Sequence, residues 1–160
     1  MLIERVALNA SPLIALYRAN LHMLLPQIFP EILVPEAVWA EVVNGTYDDP
    51  AAKGLPAATW ARKTAVPNRS EVQAWNLGAG ETALLSLAFA DKRLKVVLDD
   101  RAARRCANVF GISTMGTAGV VVIAKRRGLI PSVEQALRQL QTAGLWMSEA
   151  LISQLATQDS

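Results

Sequence analysis

The sequence has one cysteine and one histidine among its 160 residues. Cys106 alone cannot form an internal disulfide, which fits a reducing compartment. It falls inside a helical stretch and reads as packing. His22 stands in a leucine-rich stretch with no cysteine or carboxylate motif around it. A zinc site is therefore not expected, and His22 reads as structural. Long apolar runs are also missing, although hydrophobic residues make up 52% of the chain. Arg18, Pro26, Pro30 and Pro35 break the first third, and residues 120–124 are far too few to span a bilayer. The opening Met-Leu-Ile-Glu-Arg-Val puts a charge pair where a signal peptide needs an apolar stretch. The expectation is a cytoplasmic protein with no membrane segment. There is no glycine-rich phosphate loop ending in Lys-Ser or Lys-Thr and no G-x-S-x-G elbow. Gly78-Ala79-Gly80 is too short for a dinucleotide fingerprint.

Charge of one sign is scarce as well. The net charge is +2, so there is no polycationic signature. Two basic groups stand out, Arg101 with Arg104 and Arg105, and Lys125 with Arg126 and Arg127. Such runs are usually solvated helix faces, and they are also what a phosphate backbone would contact.

What is present is one domain's length of chain, with 19% charged residues and no internal repeat. Strand-like and helix-like segments alternate, which predicts a parallel sheet with helical crossovers. Strands are expected at 3–8, 32–34, 96–98 and 112–114, and a weaker one at 61–66. Helices are expected from Ser11 as N-cap, over 36–43, 81–90, 100–110, 117–127, 132–143 and 148–156. Residues 46–70, rich in Ala, Pro and Gly, read as a variable excursion within a single domain of residues 1–160. Residues 132–160 read as C-terminal helices.

In open parallel sheets ligands bind outside the carboxyl ends of the strands. Asn9 and Ser11 follow the first strand, and Asp99 and Asp100 follow the strand at 96–98. Glu41 and Glu81 stand on neighbouring helices. Adjacent carboxylates such as Asp99 and Asp100 repel unless a cation or donors offset them, and helix capping accounts for one of the two. Glu81 taken alone reads as a first-turn acid that suits the helix dipole. Glu41 has apolar neighbours, where a carboxylate is costly unless paired; a solvent-facing position on the helix is the other reading.

Four stretches resemble the PIN-domain superfamily, and within it a PIN-like prokaryotic family of unassigned function. They are Asn9-Ala10-Ser11-Pro12-Leu13-Ile14-Ala15-Leu16, Val34-Pro35-Glu36-Ala37-Val38-Trp39-Ala40-Glu41, Leu77-Gly78-Ala79-Gly80-Glu81-Thr82-Ala83 and Leu98-Asp99-Asp100-Arg101-Ala102-Ala103-Arg104. Gly116-Thr117-Ala118-Gly119, with the following Ala124-Lys125-Arg126-Arg127-Gly128-Leu129-Ile130, fits too. The resemblance implies a three-layer Rossmann-like α/β fold with a central parallel sheet of four to five strands. It implies a Mg²⁺- or Mn²⁺-dependent phosphodiester hydrolase, usually a ribonuclease acting on single-stranded RNA. Many relatives are toxins paired with a small antitoxin protein. Carried over, Glu41, Glu81 and Asp100 are metal ligands and catalytic acids, and Asp99 assists. Asn9 takes the first ligand position, with Ser11 and Thr117 in support. Arg101, Arg104 and Lys125 are the expected nucleic-acid contacts. The family's opening motif usually begins with Asp, where this chain has Asn9. An amide offers a neutral oxygen and no charge to a hard cation. That departure carries the alternative expectation, an RNA- or protein-binding module without catalysis. Four tryptophans and leucine-rich amphipathic surfaces leave a homodimer as a further expectation.

Overall fold

A computed structural model describes residues 5–45 and 49–158. The expected strand residues 3 and 4 lie outside it. Strand β1 (Arg5–Leu8) leads into α1 (Ala10–Arg18) and α2 (Leu24–Ile28). Then come β2 (Glu31–Pro35), α3 (Glu36–Val43) and α4 (Pro50–Gly54). A short 3-10 turn (Leu55–Ala57), β3 (Ala61–Thr64) and α5 (Ser70–Gln73) follow. The second half runs α6 (Ala79–Ala90), β4 (Lys95–Val97), α7 (Arg101–Val109), β5 (Thr114–Met115) and α8 (Thr117–Arg126). Helices α9 (Val133–Thr142) and α10 (Glu149–Gln158) close the chain.

The five strands form one all-parallel sheet in the order β3-β2-β1-β4-β5. Side chains alternate across a strand, and here both faces are covered. Val6, Leu8, Ile32, Val34 and Val97 belong to one apolar cluster, which takes in α1, α2, α3, α8 and α9. Ala7, Leu33, Val96 and Leu98 belong to the other, with α6 and α7. Burial on both faces is why these strands are short continuous apolar runs rather than alternating ones. The result is the expected three-layer α/β fold.

Several boundaries differ from the expectation for local reasons. Helix α1 starts at Ala10 with Asn9 in the cap position, so Ser11 is in the first turn and caps nothing. The last strand is at 114–115 rather than 112–114: the Ile112 N–H donates to the Ala107 carbonyl and finishes α7 instead. Gly111 follows α7 with φ +69°, the left-handed conformation that suits a helix end. Residues 46–48 are outside the description, but the rest of the 46–70 stretch is woven into the fold. It supplies edge strand β3, paired to β2, and buries Ala51 and Leu55 completely. Cys106 is fully buried, and His22 stacks on Tyr17 at 4.1 Å between ring centroids. Both agree with structural roles. Among the described residues no helix is long and apolar enough to cross a membrane.

Candidate functional site

Strand order reverses between β1 and β4, and ligands of open α/β sheets bind at such a switch point. Asn9 ends β1 there, and its N–H donates to the Val97 carbonyl at 3.1 Å. Its side chain is 7% exposed and does not cap α1. Asp99 and Asp100 leave β4 beside it.

The two aspartates divide their work. Asp100 caps α7, its Oδ2 accepting the Ala103 N–H at 3.0 Å. Asp99 turns the other way. Its Oδ1 accepts the Thr117 N–H at 2.9 Å and its Oδ2 the Thr117 hydroxyl at 2.6 Å. Thr117 is fully buried at the start of α8, so Asp99 ties the β4 loop to the next crossover. A Cβ at Gly116 would stand 2.9 Å from Asp99 Oδ1, so this close approach needs glycine.

Glu41 and Glu81 arrive from helices α3 and α6, whose N-terminal Gly-Ala-Gly loop admits them. The Gly80 N–H donates to Glu41 Oε1 at 2.9 Å. Glu41 is otherwise solvent-facing. Glu81 is half-buried, and its Oε2 is buried with no hydrogen-bond partner among the described residues. Burial pushes the Glu81 carboxyl above its ordinary value of 4.5, and the Asp100 charge raises it further. The Glu41 charge acts in the same direction. The charges of two other expected acids, Asp100 and Glu41, thus both act on Glu81.

The donor set is all oxygen, as a hard divalent cation prefers. The orphaned Glu81 Oε2 is an atom that such a cation would complete. The carboxylates are not drawn together into a cage, however: among the described residues no three Asp, Glu, His or Cys side chains form a group that could hold a metal ion. Each outer acid has instead taken a backbone donor, Glu41 that of Gly80 and Asp100 that of Ala103.

The basic residues separate. Arg101 and Arg104 are exposed on α7 beside Asp100 and line a depression of about 300 Å³ with Arg105 and Asn108. Arg104 also reaches toward Gly116. Lys125 is in the last turn of α8, about 12 Å along the helix axis from Thr117, and is no part of this cluster. Ser11 is exposed in the first turn of α1 and lines a second cavity together with Glu41. Sequence reasoning did not find Arg18, which lines the same cavity. Its partner Asp49 is 31 positions away, and no local pattern signals the pair.

A family model described as DUF3368, PIN domain, matches residues 5–159. No curated protein and no solved structure matches the chain.

Proposed function

The chain belongs to the PIN-domain family DUF3368, and from that premise we propose that it is a divalent-metal-dependent endoribonuclease acting on single-stranded RNA. PIN domains have a nuclease-like fold, bind nucleic acid and generally depend on a divalent metal. The observation that carries the reading is Glu81 Oε2, buried and unpartnered between Asp100 and Glu41 at the switch point of the sheet.

In this reading Glu41, Glu81 and Asp100 would be drawn in to hold Mg²⁺ or Mn²⁺, and the Asn9 amide oxygen would be a neutral fourth donor. Such a cation would neutralise phosphate charge and lower the pKa of water. The remaining work is the chain's own. Glu81 must lose the proton that its surroundings favour before it can bind a cation, so loading strengthens with rising pH. Asp100 holds its place through the α7 cap and keeps Oδ1 clear of that bond. Asp99 positions the loop by its two bonds to Thr117 and acts through Asp100 rather than on the substrate. Arg101 and Arg104 orient the RNA backbone at the rim. A small antitoxin that covers this acidic cluster completes the proposal for regulation.

Asn9 favours a second reading, a module that binds RNA or protein without cutting. One assay separates the two. Labelled single-stranded RNA is incubated with Mn²⁺ and the protein, beside Glu81→Gln and Asp100→Asn. Asn caps a helix as well as Asp does, so the second variant keeps the α7 cap. Cleavage by the parent alone supports the nuclease. Cleavage by all three points to a contaminant. Cleavage by none, with RNA still bound, leaves the binding module.

A further inference from the structure

Beside the acidic cluster is a cavity of about 310 Å³, of whose lining the proposed chemistry uses Glu41 alone. It lies between α1, α3 and the turn that follows α9. Glu41 and Ser11 stand on the side of the cluster, Arg18 also borders it, and Ile14, Ala143 and Leu145 make apolar walls.

Arg18 is held in an unusual way. Its Nη2 donates to Asp49 Oδ2 at 2.9 Å, and that carboxylate is only 4% exposed. The other oxygen of Asp49 accepts the Ala51 N–H at 2.9 Å and caps α4. One arm of the guanidinium is thus fixed to a rigid anchor. Among the described residues its other N–H groups have no partner, and the side chain remains 42% exposed. Nη1 faces Gly144, at 3.9 Å from where a Cβ would stand. Gly144 has φ +108°, a conformation that favours glycine and keeps this side of the cavity bare.

A planar cation with one arm immobilised and the rest free suits a phosphate group, because little freedom is lost when the bonds form. Apolar walls with a few directed polar groups suit a base. A basic peptide would find Glu41 attractive but would meet the Arg18 cation.

We propose that this cavity is a nucleotide subsite, which takes one unit of a single strand beside the acidic cluster, with Arg18 donating to that unit's own phosphate. The direction of the strand rests on the nuclease reading; the binding does not. The α7 arginines then serve one side of the cluster and Arg18 the other.

The test is anisotropy of a short labelled single-stranded RNA in EDTA, so that binding is read whether or not the protein cuts. The proteins are the parent, Arg18→Lys and Ala143→Phe. Lysine keeps a charge for Asp49 but loses the forked donors, and the phenyl ring fills the cavity. Each variant should bind about tenfold more weakly or worse, the loss expected for a hydrogen bond to a charged group, with the melting temperature of Arg18→Lys near the parent's. If Ala143→Phe does not fold, Arg18→Lys and Leu145→Ala decide. Parent-like affinity in the variants overturns the subsite, and so does a parent that binds no RNA. Unchanged RNA affinity with loss of a bound protein partner also overturns it. Weakened binding in the variants, together with a parent that fails to cleave in Mn²⁺, supports the subsite and counts against the nuclease reading alone.

Discussion

Gly80 donates its backbone N–H to Glu41 Oε1 at 2.9 Å, and a Cβ at position 80 would overlap that same oxygen. The glycine belongs to α6 and the glutamate to α3, so one missing methyl group fixes how two crossovers meet at the site. Gly80→Ala should uncouple activity from stability. Alanine is the better helix former, and Glu41 is an exposed, flexible side chain that can swing away. The unfolding free energy should stay within about 1 kcal/mol of the parent's. Metal affinity and cleavage should fall roughly 10–100-fold, as when a residue that orients a ligand is changed. A large loss of stability with parent-like cleavage would contradict this arrangement.

Glu81 predicts an unusual pH response in metal-free buffer. Its folded-state pKa is raised above 4.5. Between the unfolded and folded values the native state therefore binds more protons than the unfolded chain, and stability falls as pH rises through that window. Glutamine at this position cannot ionise. Glu81→Gln should melt above the parent at neutral pH, and the gap should narrow as pH drops toward the ordinary glutamate value. Saturating Mn²⁺ should stabilise the parent and leave the variant almost unmoved. Melting curves across pH, with and without Mn²⁺, check both statements.

Thr117→Val tests the second aspartate. The substitution removes the hydroxyl that donates to Asp99 Oδ2 at 2.6 Å but keeps shape and the backbone donor. A half-buried carboxylate oxygen left without a donor should cost about 1–3 kcal/mol. Urea denaturation reads that loss. Because Asp99 acts through the loop that carries Asp100, cleavage should decline through kcat with little change in KM. A pure KM effect would place Asp99 in contact with RNA instead.

These residues also show where sequence reasoning stopped. The strand at 95–97 was legible because Val96-Val97-Leu98 is a β-branched run flanked by charge and buried on both sides. Glu41 and Glu81 were legible as acids on the helices that reach the strand ends. The division of labour between Asp99 and Asp100 was not, because adjacent carboxylates look alike until the turn aims one at Ala103 and the other at Thr117. Helix α2 escaped because one turn is too short to show a helical period. Sequence also does not show that α8 carries Lys125 a helix length away from Thr117, apart from the α7 arginines. The pair Arg18 and Asp49 joins α1 to α4 across 31 positions with no pattern to announce it.

Asn9→Asp is the variant that asks what the amide at the end of β1 does. The residue is 7% exposed at the switch point, and its side chain is not spent on capping α1. A carboxylate there would join Glu41, Glu81 and Asp100 and sharpen their repulsion. Without metal the variant should therefore melt below the parent. With Mn²⁺ the order should reverse, because an added charged oxygen lowers Kd and stabilisation grows as RT ln(1 + [L]/Kd). Cleavage settles the rest. Increased cleavage over an active parent means that the amide serves as a weaker ligand in a working nuclease. Cleavage that appears only in Asn9→Asp means that the natural protein binds RNA without cutting it. No gain in Mn²⁺ stabilisation would show that position 9 does not face the cation at all.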